Sequence, residues 1–93
     1  MTTQVRASHI LVKTEDEANR ILKRIADGED FLATAKRFSS CPSRKNGGDL
    51  GWFGKGQMVP EIEQAAFAAE TGQIIGPVKT QFGYHVIKVT GKK

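Results

Sequence analysis

The sequence has few of the residues that cross-link proteins or span membranes. Its 93 residues include one cysteine, Cys41, so no disulfide can form within the chain. A lone thiol is typical of a reducing compartment. No apolar run approaches the roughly 20 residues of a membrane-spanning helix, and the N-terminal MTTQVRASHI lacks the apolar core of a signal peptide. We therefore expect one domain over residues 1–93, a cytoplasmic location and no membrane partner.

Two classes of nucleotide-related function lack their sequence signatures. The formal net charge is +4, but the lysines and arginines are scattered in pairs without a basic and aromatic stripe, so we expect no nucleic-acid partner. The glycine-rich stretch 47–56 contains Gly54-Lys55, yet glycine follows where a P-loop needs Ser or Thr. Since Leu50, Trp52, Phe53 and Met58 lie among or just after these glycines, the stretch should fold back onto an apolar surface.

The N-terminal half predicts one strand followed by two helices. VRASHILV at 5–12 alternates like a strand, and Thr14 to Glu17 forms a capping-box pattern. Asp30 is the predicted N-cap of the second helix, and residues 42–49 read as a loop. The first helix should turn Ala18, Ile21, Leu22, Ile25 and Ala26 inward, and the second Phe31, Leu32, Ala35 and Phe38.

The C-terminal half predicts a helix between strands. A short strand over 50–53 precedes a helix that begins near Pro60 and buries Ile62, Ala65, Ala66 and Ala69. Residues 77–80 begin another strand, Phe82-Gly83 forms a tight turn, and 84–89 alternates as the last strand. Strands that can pair antiparallel, with helices between them, indicate an α+β fold.

The chemically versatile side chains are His9, Cys41, Asp49, Thr80 and His85. Each alone has an ordinary structural explanation, such as a half-buried histidine or a turn aspartate. Zinc bound by His9, Cys41 and His85 would lack the usual closely spaced ligand pair, and a Cys–His hydrolase would lack an evident oxyanion hole. A third alternative is a polar cluster that polarises a substrate amide without attacking it.

Five sequence blocks resemble the parvulin family of peptidyl-prolyl cis-trans isomerases. They are S-H-I-L-V-K at 8–13, F-S-x-C-P-S at 38–43, G-G-D-L-G-x-F at 47–53, G-Q-M-V-P at 56–60 and Q-F-G-Y-H-V-I-K-V at 81–89. They follow the family's order and cover essentially the whole chain, which is most similar to the small single-domain prokaryotic parvulins. The resemblance implies a four-stranded antiparallel sheet surrounded by helices, with a short additional helix before the second strand.

The resemblance also implies roles for individual residues. His9 and His85 would form a pair on adjacent central strands, Thr80 would join their hydrogen bonds, and Cys41 would lie over the substrate imide. No cofactor or metal is implied. The proline pocket and its approach would be formed by Leu50, Gln57, Met58, Ile62 and Phe82.

The implied activity is the isomerisation of X-Pro bonds in proline-containing polypeptides and folding proteins, by a monomer. The alternative is a non-catalytic peptide-binding or chaperone module that uses the same groove. Two departures from the family stand out: Ile62 replaces a common phenylalanine, and no arginine-rich loop follows the first strand at Lys13. We therefore expect an aliphatic proline pocket and no dependence on phosphate. A non-covalent role is expected for Cys41, partly because proteins that this chain resembles often carry aspartate at that position.

Overall fold

A four-stranded sheet and three α-helices make up the fold. The computed structural model describes residues 2–93. The elements in chain order are β1 (Gln4–Val12), α1 (Glu15–Ala26), α2 (Phe31–Phe38), a 3₁₀ helix (Pro42–Asn46), β2 (Asp49–Gly54), α3 (Pro60–Ala68), β3 (Ile74–Thr80) and β4 (Gly83–Lys92). The predicted α+β class and order of elements are confirmed.

The two chain ends meet in the middle of the sheet. The strand order is β2-β1-β4-β3, and every neighbouring pair is antiparallel. Strands β1 and β4 are therefore central, with Leu11 opposite His85 and His9 opposite Ile87. This register places two histidines that are 76 residues apart on neighbouring strands.

Both faces of the sheet are covered, and the alternation along the strands separates two cores. Val5 and Ala7 of β1 pack with Ile87 and Val89 of β4 against α3. The alternate residues of the same strands pack against α1 and α2; they are Ile10, Val12 and Val86. Successive strand side chains point to opposite faces, so central strands buried on both faces carry an apolar set on each.

Local side-chain caps begin the first two helices, as predicted. The Thr14 hydroxyl accepts from the Glu17 amide at 3.2 Å, and the Asp30 carboxylate accepts from the Ala33 amide at 3.1 Å. Each cap satisfies an amide that has no partner inside its helix. Gly28 lies just beyond the first helix with φ of +106°, a conformation that favours glycine.

Several local predictions from the residue pattern were wrong. Ala26, predicted to point inward at the end of α1, is exposed. Leu32 is 48% exposed, and Thr34 takes the inward position at 1% exposure, because the helical repeat places residue 34 and not 32 on the face of Phe31. Trp52 lies outside the core with the Lys93 ammonium 4.5 Å from its ring. Pro42–Asn46, which the residue pattern alone suggested as loop, forms the short helix before β2 that the resemblance to parvulins implied, as a 3₁₀ helix.

No helix within residues 2–93 has the length and apolarity needed to cross a bilayer.

Candidate active site

The centre of the site is a buried pair of imidazoles. His9 on β1 and His85 on β4 are 4% and 2% exposed, and their Nδ1 atoms lie 2.9 Å apart. The rings are nearly parallel, with an interplanar angle of 16° and centroids 5.0 Å apart. The two side chains lie on the α3 side of the sheet, because they alternate with Ile10 and Val86 of the opposite core.

A hydroxyl group ends the hydrogen-bonded chain on each side. The Ser43 hydroxyl is 3.2 Å from Nε2 of His9, and the Thr80 hydroxyl is 2.7 Å from Nε2 of His85. Thr80 Oγ1 also accepts from the Phe82 amide at 3.1 Å, which fixes it at the β3–β4 turn. Among residues 2–93, no buried side-chain nitrogen or oxygen lacks a hydrogen-bond partner.

The contact between the two Nδ1 atoms requires opposite tautomers. A neutral imidazole carries one N–H, so one Nδ1 must donate and the other accept. If His9 donates, its Nε2 accepts from Ser43 while His85 Nε2 donates to Thr80. If His85 donates, every bond in the chain reverses. Either direction satisfies all three contacts with no net charge.

Burial keeps both imidazoles neutral. Loss of hydration, with a further contribution from His85, lowers the pKa of His9 to about 4. Burial likewise lowers the pKa of His85, and the negative charge of Glu61 partly opposes that decrease. Removing an imidazolium from water is unfavourable, and if both rings were protonated their two Nδ1–H groups would face each other with no acceptor.

Cys41 lies in the segment that crosses the end of β1. The Ser39 hydroxyl accepts from the amides of Leu11 and Cys41, and the Ser40 amide donates to the Leu11 carbonyl. The Cys41 thiol is free and partly buried. All four imidazole nitrogens have the other ring, Ser43 or Thr80 as hydrogen-bond partner, and within residues 2–93 none is hydrogen-bonded to this thiol.

The predicted substrate-binding side chains differ in exposure. Phe82 is 60% exposed beside Thr80, whereas Ile62 is 3% exposed in the core. Met58 is partly buried against the core cluster that contains Ile62. Leu50 is partly buried on β2, and Gln57 is exposed, with its carbonyl accepting from the Gly54 amide at 2.7 Å. Ile62 thus supports Met58 from inside and offers little surface of its own.

Over residues 2–93, no three side chains among His, Cys, Asp and Glu come together as ligands for a metal ion. The two histidines point their Nδ1 atoms at each other, so the Nδ1 lone pair of one ring accepts the hydrogen of the other. The side chains of Ser43, His9, His85 and Thr80 form a neutral, hydrogen-bonded polar cluster.

A family model agrees with this geometry along nearly the whole chain. Residues 5–91 match the rotamase model, described as a PPIC-type PPIase domain. The chain belongs to this family. The matched residues include both histidines and all of the four strands except Gln4 and Lys92 at the outer ends of β1 and β4.

Curated and solved relatives are similar in sequence and in shape. The foldase protein PrsA of Geobacillus sp. strain WCH70 is 55% identical over 91 residues, which are 97% of this chain and 33% of that protein. The crystal structure of the peptidylprolyl isomerase PrsA from Bacillus anthracis has a TM-score of 0.96 at 47% identity, covering 99% of this chain and 43% of that one. The chain spans about a third of the curated relatives it matches.

A small archaeal relative has the same extent as this PPIC-type domain. The solution structure of NmPin, the parvulin of Nitrosopumilus maritimus, has a TM-score of 0.88 at 41% identity. It covers 98% of this chain and 99% of that one.

Sequence reasoning missed two serines of the PPIC-type site. Ser43 contacts His9, and Ser39 holds the Cys41 segment on β1. Both lie in the F-S-x-C-P-S block, but neither was singled out, because a serine in a loop is usually a turn residue. The available signal was their position on either side of Cys41.

The imidazole pair should make the stability of the PPIC-type domain fall in mild acid. The pKa of His9 is about 4 in the folded chain and about 6.5 in the unfolded chain, so the unfolded state binds more protons between these values. The stability present above about pH 6.5 is therefore lost as the pH falls towards about 4, by up to about 3 kcal/mol.

Urea denaturation at stepped pH measures this loss, and the imidazole ¹⁵N shifts report the two titrations directly. His9→Leu serves as the control, since its stability should change less between about pH 6.5 and about pH 5, above the range of most carboxylates. A His9 imidazole that titrates at its ordinary pKa would contradict the prediction.

Proposed function

We propose that this chain catalyses the cis-trans isomerisation of X-Pro bonds in proline-containing polypeptides and assists their folding. The observation that carries the proposal is the uncharged row of hydrogen bonds from Ser43 through His9 and His85 to Thr80, within a domain of the PPIC-type family. This hydrogen-bonded row supplies oriented hydroxyl groups with no net charge. It suits a reaction in which no bond breaks and a polar carbonyl turns.

The reaction requires a site that favours the twisted amide. Rotation about a peptide bond has a barrier of roughly 18–20 kcal/mol because amide resonance is lost. Met58 and Leu50, with Ile62 supporting from the core, would hold the proline ring in apolar surroundings. Such surroundings disfavour the charge-separated planar amide more than the twisted one, since water stabilises the former. Phe82 would cover the substrate from the turn.

Cys41 contributes as a polar contact rather than as a nucleophile in this proposal. This role is supported by the hydrogen bonds of the imidazoles: every ring nitrogen already has a partner other than Cys41, so no nitrogen is placed to act as a base for the thiol. Cys41→Asp is expected to keep at least about a tenth of the wild-type kcat/KM, because a carboxylate supplies a polar contact in the same place. Loss as large as that of an unfolded control, in a variant with native circular dichroism, would indicate nucleophilic catalysis.

Relaxation of X-Pro peptides from a cis-enriched state tests the activity. Without protein this relaxation takes tens to hundreds of seconds, so acceleration is easily measured. Met58→Ala should lower kcat/KM, and Leu22→Ala, a partly buried truncation on α1 at the other face of the sheet, is the matched control. If wild type accelerates the relaxation but Met58→Ala and Leu22→Ala lower kcat/KM equally, the result would argue against the proposed pocket.

A peptide-binding or chaperone module is the second candidate function. Two observations favour it. A relative of this chain, PrsA, is named a foldase, and three large apolar side chains are exposed: Leu32, Trp52 and Phe82. Saturable binding of proline peptides with no acceleration of their isomerisation would favour this alternative. A cytoplasmic location, a monomeric state, independence from phosphate and the absence of a nucleic-acid partner stay predictions.

A further inference from the structure

A small cavity adjoins the end of the histidine chain. It has a volume of about 310 Å³ and lies between the start of α3 and the end of β3; its lining residues are Val59, Pro60, Glu61, Thr80 and Gln81. One of these lining residues, Thr80, carries the hydroxyl that lies 2.7 Å from Nε2 of His85. The volume is at the lower end of the range of about 300–1,000 Å³ for ligand pockets, which suits a single side chain.

Glu61 is the charged residue of this cavity, and its carboxylate has no partner. The ion pairs within residues 2–93 are Arg6–Asp49 and Arg24–Glu29, so Glu61 pairs with no basic side chain. Its neighbour Glu63 accepts from the Gly56 amide, whereas Glu61 makes no side-chain hydrogen bond in the described chain. Glu61 lies in the first turn of α3, where the helix dipole favours an acidic residue. The dipole accounts for the charge of Glu61 but not for the position of Glu61 in the cavity wall.

The charge of Glu61 reaches the buried site. It opposes the decrease that burial causes in the pKa of His85, although the formal net charge of the chain is +4. A substrate bound over the histidines would therefore meet a local negative charge on this side.

We propose that the cavity is a subsite for the side chain next to the substrate proline, and that Glu61 makes it favour arginine or lysine over glutamate. This inference rests on the proposed isomerase function. Interactions between exposed charges are weak and screened by salt, so the preference should be a few-fold and should decrease as salt is added.

Tetrapeptides with Arg, Ala or Glu directly before or directly after proline test the subsite. Wild type is expected to give a kcat/KM for the Arg peptide about fivefold above that for the Glu peptide at one of the two positions. Glu61→Gln should bring this ratio close to one. Glu70→Gln removes the same charge from an exposed residue beyond α3 and should keep the wild-type ratio.

Two results would overturn the subsite: a wild-type ratio near one at both positions, or a ratio that Glu61→Gln and Glu70→Gln leave equally unchanged. If wild type accelerates none of the peptides, the proposed function fails. The subsite is then tested separately, by measuring how tightly the same peptides bind. In that case NMR titration with the same peptides should show tighter binding of the Arg peptide to wild type, lost in Glu61→Gln. Equal binding of the Arg and Glu peptides would overturn it.

Discussion

Replacing His85 with leucine is expected to lower the free energy of unfolding by about 3 kcal/mol, because a buried polar group is left without its partner. His85 is 2% exposed and bonds on both sides, to His9 and to Thr80. Leucine fills a similar volume but accepts and donates nothing. The His9 Nδ1 atom would then face an apolar side chain, whereas Thr80 would keep its bond from the Phe82 amide.

The double variant His9→Leu/His85→Leu should be less destabilised than the sum of the two single variants. When both partners become apolar, no imidazole is left unsatisfied in the core, so the expected coupling free energy is about 1–3 kcal/mol. Urea denaturation of wild type, both single variants and the double variant measures it. Strictly additive losses would mean that the short contact between the two Nδ1 atoms contributes nothing to stability.

Replacing Gly48 with alanine is expected to lower the free energy of unfolding by about 3 kcal/mol, through a strained backbone and a displaced loop. Gly48 has φ of +83°, and a β-carbon there would meet the carbonyl oxygen of His9. Its own carbonyl accepts from the His9 amide at 2.9 Å, and its amide donates to the Ser43 carbonyl at 2.9 Å. Gly48 thus links the backbone of His9 to that of Ser43, and we expect its displacement to disturb the contact between the Ser43 hydroxyl and His9.

Thermal unfolding measures this loss, which for a chain of this size should lower the midpoint by about 10–20 °C. Gly56→Ala is the matched control, since Gly56 has φ of +87° but nothing within 4 Å of the position of a β-carbon. It should lose only the backbone term of about 1 kcal/mol. Equal losses in the two variants would show that the close approach to His9 is unimportant.

Features that depend on neighbouring residues could be predicted from the sequence. The caps at Thr14 and Asp30 involve amides three residues away, so the local pattern contains both partners. Leu32 shows the limit of that approach. It was expected inside because it is apolar, but the helical repeat from Phe31 places Thr34 on the inner face instead.

The site itself depends on contacts between distant parts of the chain. The pairing of His9 with His85 followed from the resemblance to parvulins and was confirmed, but the resemblance did not single out Ser43, 34 residues from His9. Ile62 was expected in the pocket wall from its place in the motif. Its burial at 3% exposure confirms the inward position that the helical repeat of α3 predicted, and this burial leaves little of its surface for the pocket wall.

By itself the sequence determined the family, the order of strands and helices, and the residue types available for chemistry, because periodicity, caps and motif spacing are written along the chain. Only the tertiary structure decided how those residues are used. The register of β1 and β4 joins the two imidazoles through Nδ1, and the loop held by Gly48 supplies Ser43. Together with Thr80 they give every imidazole nitrogen a hydrogen-bond partner other than Cys41, since hydrogen-bond partners are set by folded geometry and not by sequence distance.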